Sequence, residues 1–211
     1  MTEDPRTTRV RRFYERGAER YDRGMALFMD RLLERGRRRI GERASGRVLE
    51  VGIGTGATLP FYDAAVEVVG VDLSPAMLAQ CRARALELGR PLELVEHDAQ
   101  QLPFEDASFD TVVFTLCLCT IPDPGRAIGE GLRVVRAGGR LLFLEHVRPF
   151  WPLSWIADAV TLVSGPLSEE HFNRRTEAMA RRAGVELGEV DRWAFGFLTL
   201  MVGCKSNARS L

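Results

Sequence analysis

Residues 47–56 read Arg-Val-Leu-Glu-Val-Gly-Ile-Gly-Thr-Gly, a short apolar run followed by three glycines at alternate positions. The run has the composition of a buried strand, and the glycines allow a sharp turn that can approach a ligand without Cβ atoms in the way. We predict a short helix at 57–62. A strand, a glycine turn and a helix start form the nucleotide-binding corner of an α/β sheet, so this stretch constrains the fold more than any other.

The type of nucleotide depends on Glu50. Gly52, Gly54 and Ala57 also fit the dinucleotide pattern G-x-G-x-x-G/A, which keeps an NAD-dependent oxidoreductase as an alternative. A carboxylate beside the turn, however, repels a pyrophosphate and favours a ligand with positive charge, such as an amino group or a sulfonium. S-adenosylmethionine (SAM) has both groups and no phosphate. We therefore expect SAM as the cofactor, with Glu50, Gly52, Gly54 and Gly56 around its methionine end.

Two further carboxylates close the next predicted strands. Asp72 follows Gly52 by 20 residues, a spacing that suits a carboxylate bound to both ribose hydroxyls. Asp98 ends the third strand, where its carboxylate and the backbone of Ala99 can bind adenine. Because the carboxyl ends of parallel strands meet at one edge of a sheet, Glu50, Asp72 and Asp98 should share one crevice. The neighbouring side chains that we expect around the cofactor are Ile53, Leu73, Met77 and Thr115.

The chain alternates strands and helices after residue 47. Later strands are predicted at 66–71, 92–95, 109–116, 140–144, 185–190 and 197–204, and helices at 6–22, 25–43, 75–88, 124–135 and 168–183, with a break at residues 22–24. This order predicts an α/β fold: a Rossmann-like, doubly wound sheet of seven mostly parallel strands with an antiparallel end strand, plus N-terminal helices. The helices before the first strand should pack onto the sheet or close over the ligand.

The glycine turn carries a family resemblance. Residues 50–56, Glu-Val-Gly-Ile-Gly-Thr-Gly, resemble the E/D-x-G-x-G-x-G motif of class I SAM-dependent methyltransferases. Residues 102–113 and 133–140 are similar to the next motifs of that superfamily. They are most like the ubiquinone/menaquinone-biosynthesis type, near the phospholipid N-methyltransferase and small thiol methyltransferase relatives. Ala137 stands where this family usually has proline, and Ile53 where it often has Cys, Gly or Ala.

The resemblance, which covers roughly residues 14–146, implies one globular unit. Residues 47–211 form its methyltransferase domain with an apolar insert at about 149–167, and residues 1–46 form a helical cap or arm. It also implies that Tyr21, in the pair Tyr21-Asp22, helps to close the SAM site.

The activity implied is transfer of a methyl group from SAM to a small apolar or amphipathic acceptor: a lipid, a quinone-like ring, a thiol or a specialised metabolite. His146, at the end of the fifth strand, is the candidate base, because the pKa of histidine lies near neutrality. Cys117, His146 and the insert residues Phe150, Trp151 and Trp155 are expected to contact the acceptor. A SAM-binding protein without catalytic activity remains a second alternative.

Charge and cysteine content restrict the partners. Residues 1–47 contain 14 Arg against 8 Asp and Glu, in a chain whose net charge is zero, so this arm is either a solvated helix face or a contact for an anionic membrane surface. Lys205 is the one lysine among 29 basic residues, which indicates a GC-rich bacterial genome. No Asn/Asp-Pro-Pro-Tyr/Phe motif follows the fourth strand, so nucleic acid is not an expected substrate.

The four cysteines form no paired C-x-x-C motif, so we expect reduced thiols and no metal. With no signal peptide and no long apolar run, we expect a cytoplasmic protein, with peripheral membrane contact left open, that is a monomer or homodimer.

Overall fold

The glycine-turn strand lies at the centre of the sheet. A computed structural model describes residues 4–28, 30–147, 154–155, 158–162 and 170–205. In it, β1 (Arg47–Val51) lies between β2 (Glu67–Asp72) and β4 (Phe109–Thr115) and runs parallel to both. Val48, Leu49 and Val51 have no exposed surface. Both faces of β1 are covered, which explains why its sequence is a continuous apolar run rather than an alternating one.

The other strands complete a seven-stranded sheet in the order β3-β2-β1-β4-β5-β7-β6. They are β3 (Glu93–Glu96), β5 (Val135–His146), β6 (Val185–Trp193) and β7 (Leu198–Lys205). β7 runs antiparallel to both β5 and β6, and the four strands before β5 pair in parallel. The predicted mostly parallel sheet with an antiparallel end is confirmed. β5 begins earlier than predicted, because Val135 already pairs with Phe109 before a register shift.

The helices are α1 (Pro5–Phe28), α2 (Asp30–Arg43), α3 (Pro75–Glu87), α4 (Pro124–Val134) and α5 (Thr176–Arg182). Ser74 caps α3 and accepts the N–H of Met77 at 3.3 Å, as Ser-Pro at a helix start predicts. The short helix expected at 57–62 is a single 3-10 turn at Leu59–Phe61.

Two helix predictions are wrong. The break expected at residues 22–24 does not occur, because the Asp22 side chain bonds to Thr55 and Arg84 instead of capping a new helix, and α1 continues through it. The last helix begins at Thr176 rather than near residue 168, since residues 170–175 have no helical backbone.

Helices cover both faces of the sheet. On one face, Leu33 and Ile40 of α2 and Leu78 of α3 pack with Val48 and Leu142. On the other face, side chains of α4 and α5 pack against the inward residues of β1, β4 and β5, where the rings of Phe114 and Phe143 stack at 5.2 Å. Packing on both faces holds the carboxyl ends of the strands in place, and the site lies at those ends. Among the helices that the structure describes, none is long and apolar enough to span a membrane.

We expect Leu142→Ala to lower the free energy of unfolding by about 2–5 kcal/mol, because it leaves a cavity in the middle of β5. Leu142 has no exposed surface, whereas Leu86 on α3 is 77% exposed. The matched variant Leu86→Ala should therefore change stability by less than about 0.5 kcal/mol. Urea unfolding followed by circular dichroism measures both values, and equal effects would contradict the described packing.

Candidate functional site

A crevice opens at the carboxyl ends of β1, β2, β3 and β4 and is covered by α1. It contains about 750 Å³ of space not filled by protein atoms, part of it open to solvent. Ten of the residues predicted for the site line it: Tyr21, Gly52, Gly54, Asp72, Leu73, Met77, Asp98, Ala99, Thr115 and Cys117.

The glycine turn forms the floor of the crevice. Gly52 and Gly54 have φ angles of +67° and +57°, which favour glycine. A Cβ on Gly52 would lie 2.4 Å from the Cβ of Cys117, so glycine lets the turn after β4 approach. A Cβ on Gly54 would meet no protein atom closer than 3.9 Å. Since Gly54 lines the crevice, that Cβ would take up space that a ligand can use.

Asp72 ties the glycine turn to the end of β2. Its Oδ2 accepts the backbone N–H of Gly54 at 2.9 Å, and its Oδ1 accepts that of Ser74 at 2.9 Å. Burial raises the pKa of this carboxyl, while the backbone N–H groups of Ser74, Gly54 and Leu73 oppose the shift. Each oxygen has a second lone pair beyond these bonds. The carboxylate is therefore oriented with one acceptor position per oxygen for a pair of ligand hydroxyls.

Asp98 is oriented by Gln100. Asp98 Oδ1 accepts the backbone N–H of Gln100 at 2.9 Å, and the Gln100 side-chain amide donates to both carboxylate oxygens. The same amide lies 3.4 Å from Thr7 Oγ1 on α1. A polar link thus joins the end of β3 to the helix above the crevice.

Three of the predicted residues lie beneath the crevice rather than along it. Glu50 is buried and accepts a hydrogen bond from the Tyr62 hydroxyl at 3.0 Å, and burial raises its pKa to about 7. Ile53 packs into the core under the turn, and a Cβ on Gly56 would lie 2.8 Å from Cys81 Sγ. Direct contact of Glu50, Ile53 or Gly56 with a ligand stays a prediction, and the described geometry gives them a supporting position.

Helix α1 contributes residues that the sequence did not single out. Thr7, Val10, Arg11 and Tyr14 line the crevice beside Tyr21. Their spacing in the sequence places them on one face of the helix. That spacing could have identified the face that covers the crevice, but the many arginines of α1 made the segment look like a solvent-exposed helix. The Tyr14 hydroxyl donates to Glu170 Oε1 at 3.2 Å.

Asp22 fastens the same helix to the sheet. Its carboxylate accepts hydrogen bonds from Thr55 Oγ1 at 2.7 Å and from Arg84 Nη2 at 2.6 Å. The Arg84 guanidinium also donates to the backbone carbonyl of Thr55 at 3.0 Å. These contacts hold α1 against the glycine turn and close that side of the crevice.

His146, the candidate base, lies at the end of β5 outside the set of lining residues. Its ring forms a three-ring cluster with Phe172 and Phe197, at centroid distances of 4.7 and 5.5 Å, and burial lowers its pKa to about 4. At neutral pH the imidazole is uncharged and weakly basic. Its role as a base stays a prediction.

The apolar wall predicted from the insert falls partly outside the described residues. Phe150 and Trp151 lie outside them, and the Trp155 side chain is 64% exposed. A contact between these three residues and an acceptor remains a prediction.

A family model described as a methyltransferase domain matches residues 49–143. The chain is 43% identical over 118 residues to a phosphatidylethanolamine N-methyltransferase of Cereibacter sphaeroides, which covers 54% of this chain and 58% of the relative. It is 37% identical over 139 residues to a demethylmenaquinone methyltransferase of Beutenbergia cavernae, covering 64% and 56%. The chain thus spans somewhat more than half the length of these curated relatives.

The fold matches that of a SAM-dependent methyltransferase of Thermotoga maritima, with a TM-score of 0.73. The match covers 93% of this chain and all of the other, at 21% sequence identity. At that identity the likeness concerns the fold.

We expect Gly52→Ala to destabilise the protein more than Gly89→Ala does. Both glycines have a positive φ, which costs other residues about 1–2 kcal/mol. A Cβ on Gly89 meets no atom within 4 Å, whereas one on Gly52 collides with Cys117. Thermal unfolding of both variants separates the cost of backbone strain from the cost of the collision. Equal decreases in stability would show that the close approach of Cys117 to the turn does not contribute to stability.

Proposed function

The chain belongs to the SAM-dependent methyltransferase family, and from that premise we propose that it transfers the methyl group of SAM to a small amphipathic acceptor. The observation that carries the proposal is the crevice itself. It combines a glycine turn, two oriented carboxylates at successive strand ends and a covering helix with apolar and aromatic side chains. The two relatives named above act, by their names, on a phospholipid amine and on a quinone precursor.

The residues present fit SAM. Asp72, with one open acceptor position on each oxygen, suits the two ribose hydroxyls. Asp98 and Ala99 suit the adenine, and Gly52, Gly54 and Thr115 leave room for the methionine end. The open space at a Gly54 Cβ supports this assignment, because a side chain there would intrude on the ligand.

When bound, SAM supplies a methyl group already activated by the sulfonium. The protein has to align the acceptor and exclude water, a contribution of roughly 7–11 kcal/mol when the geometry is well set. Val10, Met77 and Leu116 provide an apolar lining, and Tyr14 and Tyr21 stand at 6.0 Å between ring centroids. Burial raises the pKa of both phenols well above the ordinary value, so at neutral pH they donate hydrogen bonds and do not act as bases.

Tyr14, Tyr21 and Glu170 favour an amine as the acceptor group. Two aromatic faces and a carboxylate attract an ammonium through its charge. Glu170 does not itself line the crevice, but it accepts the hydrogen bond of Tyr14, which does; through that hydroxyl its carboxylate can attract the ammonium and take up the proton that leaves before methylation. A quinone ring carbon carries no positive charge for that carboxylate to attract. We therefore place an amphipathic amine, such as phosphatidylethanolamine, ahead of a quinol or a thiol.

The outer surface of α1 suits a membrane that carries such a lipid. Arg9, Arg12 and Arg16 are exposed around Phe13, which is itself 42% exposed, and together they line a shallow groove. Basic side chains beside an exposed aromatic ring bind anionic interfaces. We propose peripheral contact through this face, which would hold the protein at the membrane surface that carries the lipid.

Asp72→Asn should weaken binding of S-adenosylhomocysteine roughly 10–100-fold, because charge-assisted hydrogen bonds contribute about 1.5–3 kcal/mol. Isothermal titration calorimetry measures the affinity. Asp106→Asn is the matched control, since Asp106 is 78% exposed and bonds to Arg133 far from the turn. Unchanged binding in Asp72→Asn would contradict the ribose assignment, and absence of binding in the wild type would contradict the cofactor.

Glu170→Gln should raise KM for phosphatidylethanolamine by roughly tenfold, the loss of one charge-assisted contact, while KM for SAM stays unchanged. Tyr14→Phe, which keeps the ring, should have a smaller effect. S-adenosylhomocysteine release is followed with vesicles of phosphatidylethanolamine, with a demethylated menaquinol and with a small thiol. Faster turnover of the quinol or thiol, insensitive to Glu170→Gln, would contradict the amine assignment.

The same vesicles test the membrane face. Adding phosphatidylglycerol should increase cosedimentation and turnover, and the charge reversals Arg12→Glu and Arg16→Glu should abolish the increase. Arg82→Glu, an exposed site on α3, is the control and should leave it intact. Equal effects at the three positions would show a general response to charge instead of a defined face.

A further inference from the structure

Three buried side chains with metal-ligand chemistry meet beside the crevice. Cys119 lies in the turn after β4, and Glu145 and His146 end β5. One ligand atom from each lies within 4.8 Å of the other two. Cys119 is 3% exposed, Glu145 is fully buried and His146 is 9% exposed. None of the three lines the crevice, and apart from the predicted role of His146 as a base the proposed methyl transfer does not use the cluster.

Two polar atoms of the cluster have no hydrogen-bond partner in the described part of the chain. Glu145 Oε1 accepts the backbone N–H groups of Cys117 and Leu118, each at 3.0 Å, but Oε2 accepts none. His146 Nδ1 is likewise without a partner. A buried polar atom without a partner costs about 1–3 kcal/mol, and here two such atoms belong to adjacent residues of one cluster. This arrangement indicates a bound ligand that interacts with both Glu145 Oε2 and His146 Nδ1.

We propose that Cys119, Glu145 and His146 bind a divalent transition-metal ion of the zinc type. A thiolate, a carboxylate and a neutral imidazole are zinc ligands, and the thiolate disfavours Mg²⁺ and Ca²⁺. The two negative charges of the thiolate and carboxylate balance the charge of the ion. Three protein ligands leave a fourth position for water or another donor, as in catalytic zinc sites.

The spacing of the ligand atoms is near that required. Zinc bond lengths of about 2.0–2.3 Å place tetrahedral ligand atoms about 3.3–3.7 Å apart. A pair of ligand atoms at the upper limit of 4.8 Å must therefore approach by roughly 1.1–1.5 Å, which small side-chain rotations can provide. Cys119 Sγ, now 3.4 Å from the carbonyl oxygen of Leu116, gives up that weak contact when its thiol ionises.

The surroundings hold the ligands in place. The two backbone N–H groups on Oε1 orient the Glu145 carboxylate and leave Oε2 directed elsewhere. Phe172 and Phe197 pack against the His146 ring and restrict its rotation. Supporting contacts of this kind raise metal affinity by orienting the first ligands. The proposal goes beyond methyl transfer, and metal binding can be measured without SAM or acceptor.

Cobalt titration tests the proposal directly. Full-length protein, treated with EDTA and kept in a reducing buffer, is titrated with Co²⁺. We expect a thiolate-to-metal charge-transfer band in the near ultraviolet, intense visible bands of a four-coordinate ion, and saturation at one ion per chain. One equivalent of Zn²⁺ should remove both signals. Cys119→Ser should abolish the near-ultraviolet band and weaken binding at least about 100-fold, since even the loss of supporting contacts costs 10–100-fold.

Variants and controls keep the outcome interpretable. Glu145→Gln retains an Oε1 acceptor for Cys117 and Leu118 and should bind metal more weakly while it stays folded by circular dichroism. Cys204→Ser keeps the three ligands and should bind as the wild type does. No stoichiometric binding, or a charge-transfer band that survives Cys119→Ser, would overturn the proposal. If Glu145→Gln changes only the titration of His146 and no metal binds to the wild type, the proposal is overturned, and the two side chains share a proton instead.

Discussion

The site depends on one carboxylate that joins two strand ends. Asp72 receives the N–H of Gly54 from the turn after β1 and the N–H of Ser74 from the start of α3. These bonds fix the glycine turn against the end of β2 and also orient the remaining lone pairs of the carboxylate into the crevice. One partly buried carboxylate thus sets the backbone geometry of the turn and is available at the edge of the crevice. Its burial is possible because the two N–H groups offset the desolvation of the charge.

Closure of the crevice depends on α1, and α1 is held by contacts at several points along its length. Asp22 bonds to Thr55 and Arg84 near the glycine turn, and Thr7 contacts Gln100 beside Asp98. The inner face of the helix carries the tyrosines, and its outer face carries the arginines. A reaction with an already activated methyl group needs alignment and exclusion of water, and a covering helix provides both.

The local parts of the site could be predicted from the sequence. The glycine turn, Asp72 and Asp98 each follow a strand, and strand ends meet at one edge in any doubly wound sheet. The comparisons with known proteins confirmed the family resemblance, the fold class and SAM as the cofactor. The features of the site that depend on tertiary packing could not be predicted from the sequence. Glu50 shares the face of β1 with Val48, which places it in the core beneath the turn. Cys119 and Glu145 meet because β4 and β5 pair in parallel, although a helix separates them in the chain.

The central claim is that this crevice holds SAM with its ribose on Asp72 and the acceptor beside Tyr14. A crystal structure of the protein with S-adenosylhomocysteine and a phosphoethanolamine headgroup tests it most directly. We predict both ribose hydroxyls within hydrogen-bond distance of Asp72, adenine beside Asp98, and the amine nitrogen beside the Tyr14 ring. A nucleoside bound elsewhere, or in this crevice with its ribose away from Asp72, would contradict the account.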